Sequence, residues 1–227
     1  MFEGPTLLAE AIDGGVEIES IYATSAAYAD HRAVRDLESH GVPVYILDDR
    51  TIQKISDVET SSGIVCVAPI VYRSAAQALD DGALTLVLAD LNDPANAGTL
   101  LRTAEAFGVR GVIFGTLGVE AYLPKVVRGS MGAIFRMEVA AASPDEVKAP
   151  LGGRQVTGLA SDGDPIGSLE WAPGGVLVVG NERHGLAAWA SICTRSGAIP
   201  MPGKAESLNA GVAGSIALYE ATKRRYA

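Results

Sequence analysis

The sequence predicts an α/β protein built on a parallel sheet, with a smaller α/β domain ahead of it. Over residues 83–227, apolar runs such as LTLVLAD and GGVLVVG alternate with stretches of helical spacing. That is the pattern of strands buried on both faces and covered by helices. Charge marks a boundary: residues 1–82 carry 14 acidic against 5 basic side chains, whereas 83–227 carry 13 of each. The net −9 therefore belongs entirely to the first third, and the segment RSAAQALDDG between the two parts reads as a connector. The expected organisation is a domain over 1–74, a linker over 75–82 and a second domain over 83–227.

In the first domain PTLLAEAID has helical spacing, with Pro5 at the first helical position and a Gly-Gly stop. IESIYAT predicts a strand, ADHRAVRDLESHG a helix ended by Gly41, PVYILDD a strand, RTIQKIS a short helix and GIVCVAPIVY a final strand. The second domain predicts strand 84–89, helix 96–107, strand 110–114, helix 124–131 and strand 134–140. A short helix at 144–149, strand 154–160, loop 161–174 and strand 175–180 follow, then a short helix at 185–191, strand 196–200 and helix 207–224. No repeat or low-complexity tract interrupts this order.

Composition narrows the function classes. Aromatics make up 6% of the chain and glycine numbers 26, which suits tight α/β packing and disfavours a base-stacking sheet. No apolar run approaches the ~18 residues of a membrane span, and MFEGPTLLAEAID lacks the basic and apolar regions of a signal peptide. Cys66 and Cys193 stand far apart without metal-ligand spacing, so they are expected to be reduced, buried and inert. An acidic chain is no general polyanion binder; any nucleic acid must meet a local cationic cluster.

Ligands of such sheets sit beyond the carboxyl ends of the strands, and three polar turns follow strands here: DLNDPANAG, GNERHG and MPGKAESLN. In the first, Asn96 and Gly98 open a helix whose unpaired N–H groups favour an anion. Arg102, one turn on among Leu100, Leu101, Ala104 and Phe107, adds a fork able to grip a phosphate. Read alone, Asn96 is equally an N-cap and Arg102 a surface ion-pair residue. In the second turn, Gly180 lets a ligand approach the backbone, and Glu182 either orients a polar group or caps the helix near Gly185. A plain strand-to-helix turn is the ordinary alternative, with His184 solvated. The third offers Ile199, Met201 and Leu208 as walls for an adenine-sized pocket, beside Lys204, Ser207 and Asn209. Ser207 by itself reads as the N-cap of the last helix. That helix has Leu208, Val212, Ile216 and Tyr219 on one face and Gly211, Gly214 and Leu218 nearby, small residues that permit close helix approach inside the domain or across a dimer.

Taken in order, Asn96-x-Gly98-x-x-x-Arg102, then Gly180-Asn181-Glu182-x-x-Gly185-Leu186, then Ile199-Pro200-Met201 with Ser207-Leu208-Asn209, closely resemble the three motifs of the SpoU/TrmH family of SPOUT RNA methyltransferases. KVVRGSMGA (125–133) resembles the stretch between that family's motifs, and the likeness spans residues 84–225. Residues 2–72 resemble the family's N-terminal substrate-binding domain through the EGP opening, the GVPVY strand and the closing SSGIVCVA. Many relatives carry a further basic segment ahead of EGP.

The resemblance implies transfer of methyl from S-adenosylmethionine to a ribose 2′-hydroxyl of structured RNA, with ribosomal RNA favoured over tRNA and self-protection against antibiotics among the roles. It implies a deep trefoil knot in the C-terminal domain, rare among folds, and an N-terminal domain resembling a ribosomal-protein fold. Leu159, Gly180, Asn181, Ile199, Met201 and Leu208 would surround a bent cofactor. Arg102, Asn96, Glu182, Ser207 and Asn209 would carry the chemistry. Lys125, Arg128, Arg183 and Lys204 would join Arg102 in meeting RNA. The active form would be a cytoplasmic homodimer, without metal or membrane. A ribose hydroxyl must lose its proton as the methyl is attacked, and the family proposal makes the motif arginine the base. Guanidinium pKa values above ~12 favour a softer role, in which Arg102 holds the target phosphate and ribose in place and stabilises the emerging alkoxide. Two other classes compete. A binding-only protein that kept the fold is opposed by the intact Arg102, Glu182, Ser207 and Asn209. A Rossmann-type nucleotide enzyme is opposed by the lack of GxGxxG or GxxxxGK[ST] after any strand. The acidity of the first domain leaves RNA recognition to shape or to the cationic cluster of the second.

Overall fold

A computed structural model describes residues 1–79 and 82–223. They divide into two compact units, Met1–Val71 and Tyr72–Ala227. The first unit runs β1 (Phe2–Glu3), α1 (Pro5–Asp13), β2 (Ser20–Ala23), α2 (Ser25–Asp30), α3 (Arg32–Ser39), β3 (Val44–Ile46), α4 (Asp49–Ile55) and β4 (Ile64–Val67). Its sheet has the order β1-β4-β2-β3, with β2 and β3 parallel and β4 antiparallel to both neighbours. α1 starts on Pro5 and buries Leu7, Leu8 and Ala11, as its spacing predicts. Gly4, at φ +99°, turns the chain from β1 into α1 and donates its amide to the Ile64 carbonyl at 3.0 Å, tying the EGP opening to β4. The single helix expected over 29–41 is two. His31 is extended, at φ −105° and ψ 104°. α2 begins earlier because Thr24 caps it, accepting the Ala27 amide at 3.1 Å.

In the second unit the expected linker begins with a helix, α5 (Ala75–Leu79), which buries Ala78 and Leu79; positions 80 and 81 lie outside the described residues. Then come β5 (Thr85–Leu88), α6 (Pro94–Ala106), β6 (Gly111–Gly115), α7 (Pro124–Gly129), β7 (Glu138–Ala142) and α8 (Pro144–Lys148). β8 (Val156–Pro165), β9 (Val176–Val179), β10 (Arg195–Ala198) and α9 (Ala210–Thr222) complete it. The six strands form one parallel sheet in the order β10-β8-β9-β5-β6-β7. β5, β6 and β9 are buried along their whole length, hence their unbroken apolar sequences. From β5 the chain steps outward through β6 and β7, then returns so that β9 lies against β5. Their adjacent carboxyl ends mark the point where strand order reverses, the place where open α/β sheets hold ligands.

Several expected boundaries move. The strand expected at 134–140 begins at Glu138, because Met131 (φ +52°) and Gly132 (φ +90°) lead into a 3-10 turn over Ala133–Arg136, pinned by an Arg136–Glu105 ion pair. β8 runs five residues past its expected end, replacing the start of the expected loop. The expected helix at 185–191 is a 3-10 helix over Ala187–Ile192. The last helix starts at Ala210 rather than 207, and position 224 lies outside the described residues. α9 packs closely on α6 and β9: a Cβ on Gly214 would stand 2.4 Å from Leu100 Cδ2 and 3.0 Å from Val179 Cγ2. Gly167, after β8, lies against Glu220 of the same helix. α9 thus contacts both α6 and the segment after β8.

Candidate active site

β9 ends at Val179, and the turn that begins with Gly180 closes on itself. The Asn181 amide donates to the Gly185 carbonyl at 2.8 Å, and the Gly185 amide donates back at 2.9 Å. A Cβ on Gly180 would stand 2.5 Å from the Gly185 carbonyl carbon, so this glycine first serves the fold-back of its own turn. Asn181 Oδ1 accepts the Arg183 and His184 amides at 2.9 and 3.3 Å, an Asx turn that rigidifies the loop carrying Glu182.

Across from it, Asp93 caps α6 by accepting the Ala95 amide at 2.9 Å, with Pro94 in the first helical position. Asn96 is therefore the third helical residue, and the helix begins two residues before its expected start at 96. The Asp-Pro pair was the readable signal for this cap. Asn96 is only 6% exposed. Its Nδ2 donates to Glu182 Oε1 at 2.7 Å, and its Oδ1 accepts from Asn209 Nδ2 at 2.9 Å. Asn209 Oδ1 in turn accepts the Val212 amide at 3.1 Å, so Asn209, and not Ser207, caps α9. A carboxylate can only accept at one end of this chain and a main-chain N–H can only donate at the other. Both carboxamides are thus held in one orientation, and the three turns are drawn into a single network. Glu182 Oε2 also lies 3.5 Å from the Asn92 amide.

Beside the network opens a cavity of about 530 Å³. Leu159, Ile199, Met201 and Leu208 form its apolar wall, and Gly180, Asn181, Glu182, Ser207 and Asn209 its polar edge. Ser161 and Glu206 also line it; the sequence missed Ser161 because β8 was expected to stop before it. Ser207 makes no hydrogen bond among the described residues, so its hydroxyl is available to a ligand. The volume lies within the ~300–1,000 Å³ of small-molecule sites. An apolar wall facing carboxylates and amides suits a ligand with a purine at one end and a cationic amino-acid group at the other, as S-adenosylmethionine has.

Arg102 does not line this cavity. It is exposed on α6, on the stripe that includes Gly98 and Glu105. A Cβ on Gly98 would stand 2.8 Å from the Gly129 backbone, so Gly98 serves the approach of α6 to α7 rather than an anion site. Arg102 makes no hydrogen bond or ion pair among the described residues. Lys125, Arg183 and Lys204 are exposed and Arg128 is half-buried. Neither cysteine borders the cavity; burial pushes the Cys66 thiol up to about 12 and Cys193 up to about 11.

The SpoU rRNA Methylase family profile matches residues 83–219. The chain belongs to the SpoU rRNA methylase family. The profile of the thiostrepton-resistance methylase N terminus matches residues 4–82 of this SpoU methylase. It is 30% identical over 225 residues to the 23S rRNA (guanosine(2553)-2'-O)-methyltransferase RlmP of Bacillus subtilis, covering 96% of this chain and 86% of that protein. It is 36% identical over 142 residues to a 23S rRNA (uridine(2479)-2'-O)-methyltransferase of Streptomyces viridochromogenes, covering 58% of this chain and 50% of that one. Among solved structures, the AdoMet-bound rRNA methyltransferase of Sinorhizobium meliloti superposes with a TM-score of 0.86 at 25% identity, covering 98% of this chain and 86% of the other.

Proposed function

We propose that this SpoU methylase transfers methyl from S-adenosylmethionine to a ribose 2′-hydroxyl of ribosomal RNA. The observation that carries the reading is the Asn209–Asn96–Glu182 chain, which gathers all three family motifs at the edge of one cavity of suitable size. S-adenosylmethionine supplies a methyl group on an electron-poor sulfonium. Leu159, Ile199, Met201 and Leu208 hold its adenosine, while the rigid turn at Gly180 and Asn181 shapes the cleft floor. Glu182, held by Asn96, and the hydroxyl of Ser207 orient polar groups at the cleft mouth. Arg102 binds the phosphate beside the target ribose and stabilises the oxygen as its proton leaves. Lys125, Arg128, Arg183 and Lys204 extend this surface toward RNA. Ribosomal RNA is favoured over tRNA by the N-terminal unit's profile and by the full-length B. subtilis relative. No helix among the described residues is long and apolar enough to cross a membrane, and with a ribosomal substrate the reaction belongs in the cytoplasm.

The same reading makes the protein a homodimer. Gly211 and Gly214 of α9 face inward, so the small-residue face serves the domain's own packing. What α9 leaves exposed is Val212 (48%), Ile216 (36%) and Tyr219 (52%), following Leu208 at the cleft. A second copy over this stripe would close the cleft and bring a second α6, with its Arg102, toward it.

Calorimetric titration with S-adenosylhomocysteine tests the site. One molecule should bind per subunit, with affinity at least about tenfold weaker in Leu208→Asp, which sets a charge in the apolar wall. Absence of binding, with and without ribosomal RNA, would overturn the reading.

A further inference from the structure

Asp90, two residues past the end of β5, opens the DLNDPANAG turn but is none of the motif residues Asn96, Gly98 and Arg102 that follow it. Its φ is +53°, a left-handed conformation uncommon outside glycine, asparagine and aspartate. Three loops meet on it. Its Oδ2 accepts the Trp189 indole N–H at 2.9 Å, and its Oδ1 accepts the Leu117 amide at 3.1 Å. Its main-chain carbonyl accepts Asn181 Nδ2 at 2.6 Å. The loop after β6 is moulded to it: a Cβ on Gly115 would stand 2.2 Å from Asp90 Oδ1, and one on Gly118 2.7 Å from the Asp90 carbonyl carbon.

We propose that Asp90 is a positioning residue that locks the cofactor turn of β9 to the motif-bearing turn of β5. The reasoning starts from Asn181. Its Oδ1 is committed to its own turn, so its Nδ2 bond to Asp90 is what ties that side chain to the neighbouring strand. Asp90 stands shortly before Asp93, the cap of α6, and Asn181 directly follows Gly180. Fixing Asp90 against Asn181 therefore fixes the gap across which Asn96 reaches Glu182. Trp189 closes the device from the far end of the turn. It is wholly buried in the core, and its only polar side-chain atom is spent on Asp90. An ordinary backbone at position 90 would turn the carbonyl away from Asn181, which explains why the left-handed conformation is retained at a functional turn. Asp90 touches neither cofactor nor substrate in this scheme; it acts through Asn181 and Glu182.

The inference rests on the cofactor reading of the cleft, and the experiment separates the two. The chain has two tryptophans, so Trp171→Phe leaves Trp189 as the sole tryptophan emitter. In that background the S-adenosylhomocysteine Kd is measured by Trp189 fluorescence and by calorimetry for Asp90, Asp90→Ala and Asp90→Asn, with methyl transfer measured alongside. With Asp90 in place, ligand should change Trp189 emission. Asp90→Ala should raise Kd at least about tenfold and abolish that change. Asp90→Asn, which tolerates the left-handed backbone and keeps an acceptor oxygen, should return Kd to within about threefold. Should Asp90→Ala not fold, Trp189→Phe, which removes the indole donor together with part of the ring's buried volume, should raise the calorimetric Kd about threefold or more. Unchanged Kd and turnover in folded variants, with only a lowered Tm, would show a purely structural residue and overturn the proposal. If the protein with Asp90 intact binds no ligand at all, the cofactor reading itself fails and this inference falls with it.

Discussion

Arg102 stands exposed and unpaired among the described residues, while every other member of the expected catalytic set except Ser207 is hydrogen-bonded in place. An arginine with nothing to hold in the free protein is suited to a partner that arrives with the substrate. Arg102→Ala should leave Tm and S-adenosylhomocysteine affinity essentially unchanged and reduce methyl transfer about 100-fold or more, the usual cost of losing a transition-state charge partner. Near-normal turnover in that variant would remove Arg102 from the mechanism. The cysteines give a prediction of the opposite kind. Burial raises Cys66 to about 12 and Cys193 to about 11, against about 8.5 for a free thiol. At pH 8 both stay protonated in the folded protein, so Ellman's reagent should react with them slowly until denaturant is added. Because the unfolded chain releases these protons first, stability should fall as pH rises from about 8.5 toward the folded values of about 11 and 12. Fast labelling of the native protein would contradict the burial.

Among the elements, α6 carries Asn96 and Arg102 and α9 is capped by Asn209, and both helices depend on glycines that admit a neighbour. Gly214→Ala forces a methyl against Leu100 and Val179 of the sheet-facing core and should cost about 1–3 kcal/mol in denaturant unfolding. Gly98→Ala presses on the backbone of α7 and should cost a similar amount. Wild-type stability in either would mean that these helices do not pack as closely as described. The buried strands were legible in the sequence because a strand covered on both faces must be apolar throughout, as β5 and β9 are. α1 was legible to its ends because Pro5 and Gly14 punctuate it. The break between α2 and α3 was not, since the helical spacing runs through His31 and the break depends on a cap at Thr24. Nor was the Asn209–Asn96–Glu182 network. Asn96 meets residues 86 and 113 positions away, and no local pattern encodes such a contact. The strand-then-turn pattern placed the three turns at one end of the sheet and the resemblance named their residues, but neither showed that Asp93 and Asn209 were the caps. Asp90 was invisible because its importance lies in a backbone angle.

For the molecule as a whole, the family profiles divide the chain between 82 and 83, whereas its compact units divide after Val71. The difference is physical: the Arg73 amide bonds Val139, its guanidinium pairs with Glu138, and α5 buries Ala78 and Leu79 against the sheet. A fragment beginning at residue 72 should therefore fold and bind S-adenosylhomocysteine, while one beginning at 83 should melt at least about 5 °C lower. Equal melting temperatures would place the true boundary at the linker expected from sequence. On the proposed reading the acidic first unit bears on RNA choice and not on the methyl-transfer chemistry, so the decisive assay uses the full chain. Purified protein is incubated with labelled S-adenosylmethionine and unmodified 23S ribosomal RNA, and the digested RNA is analysed for methylated nucleosides by mass spectrometry. The expected product is a single 2′-O-methylnucleoside, absent when Arg102→Ala replaces the wild type. A methylated base, or no transfer by protein that demonstrably binds the cofactor, would contradict the assignment.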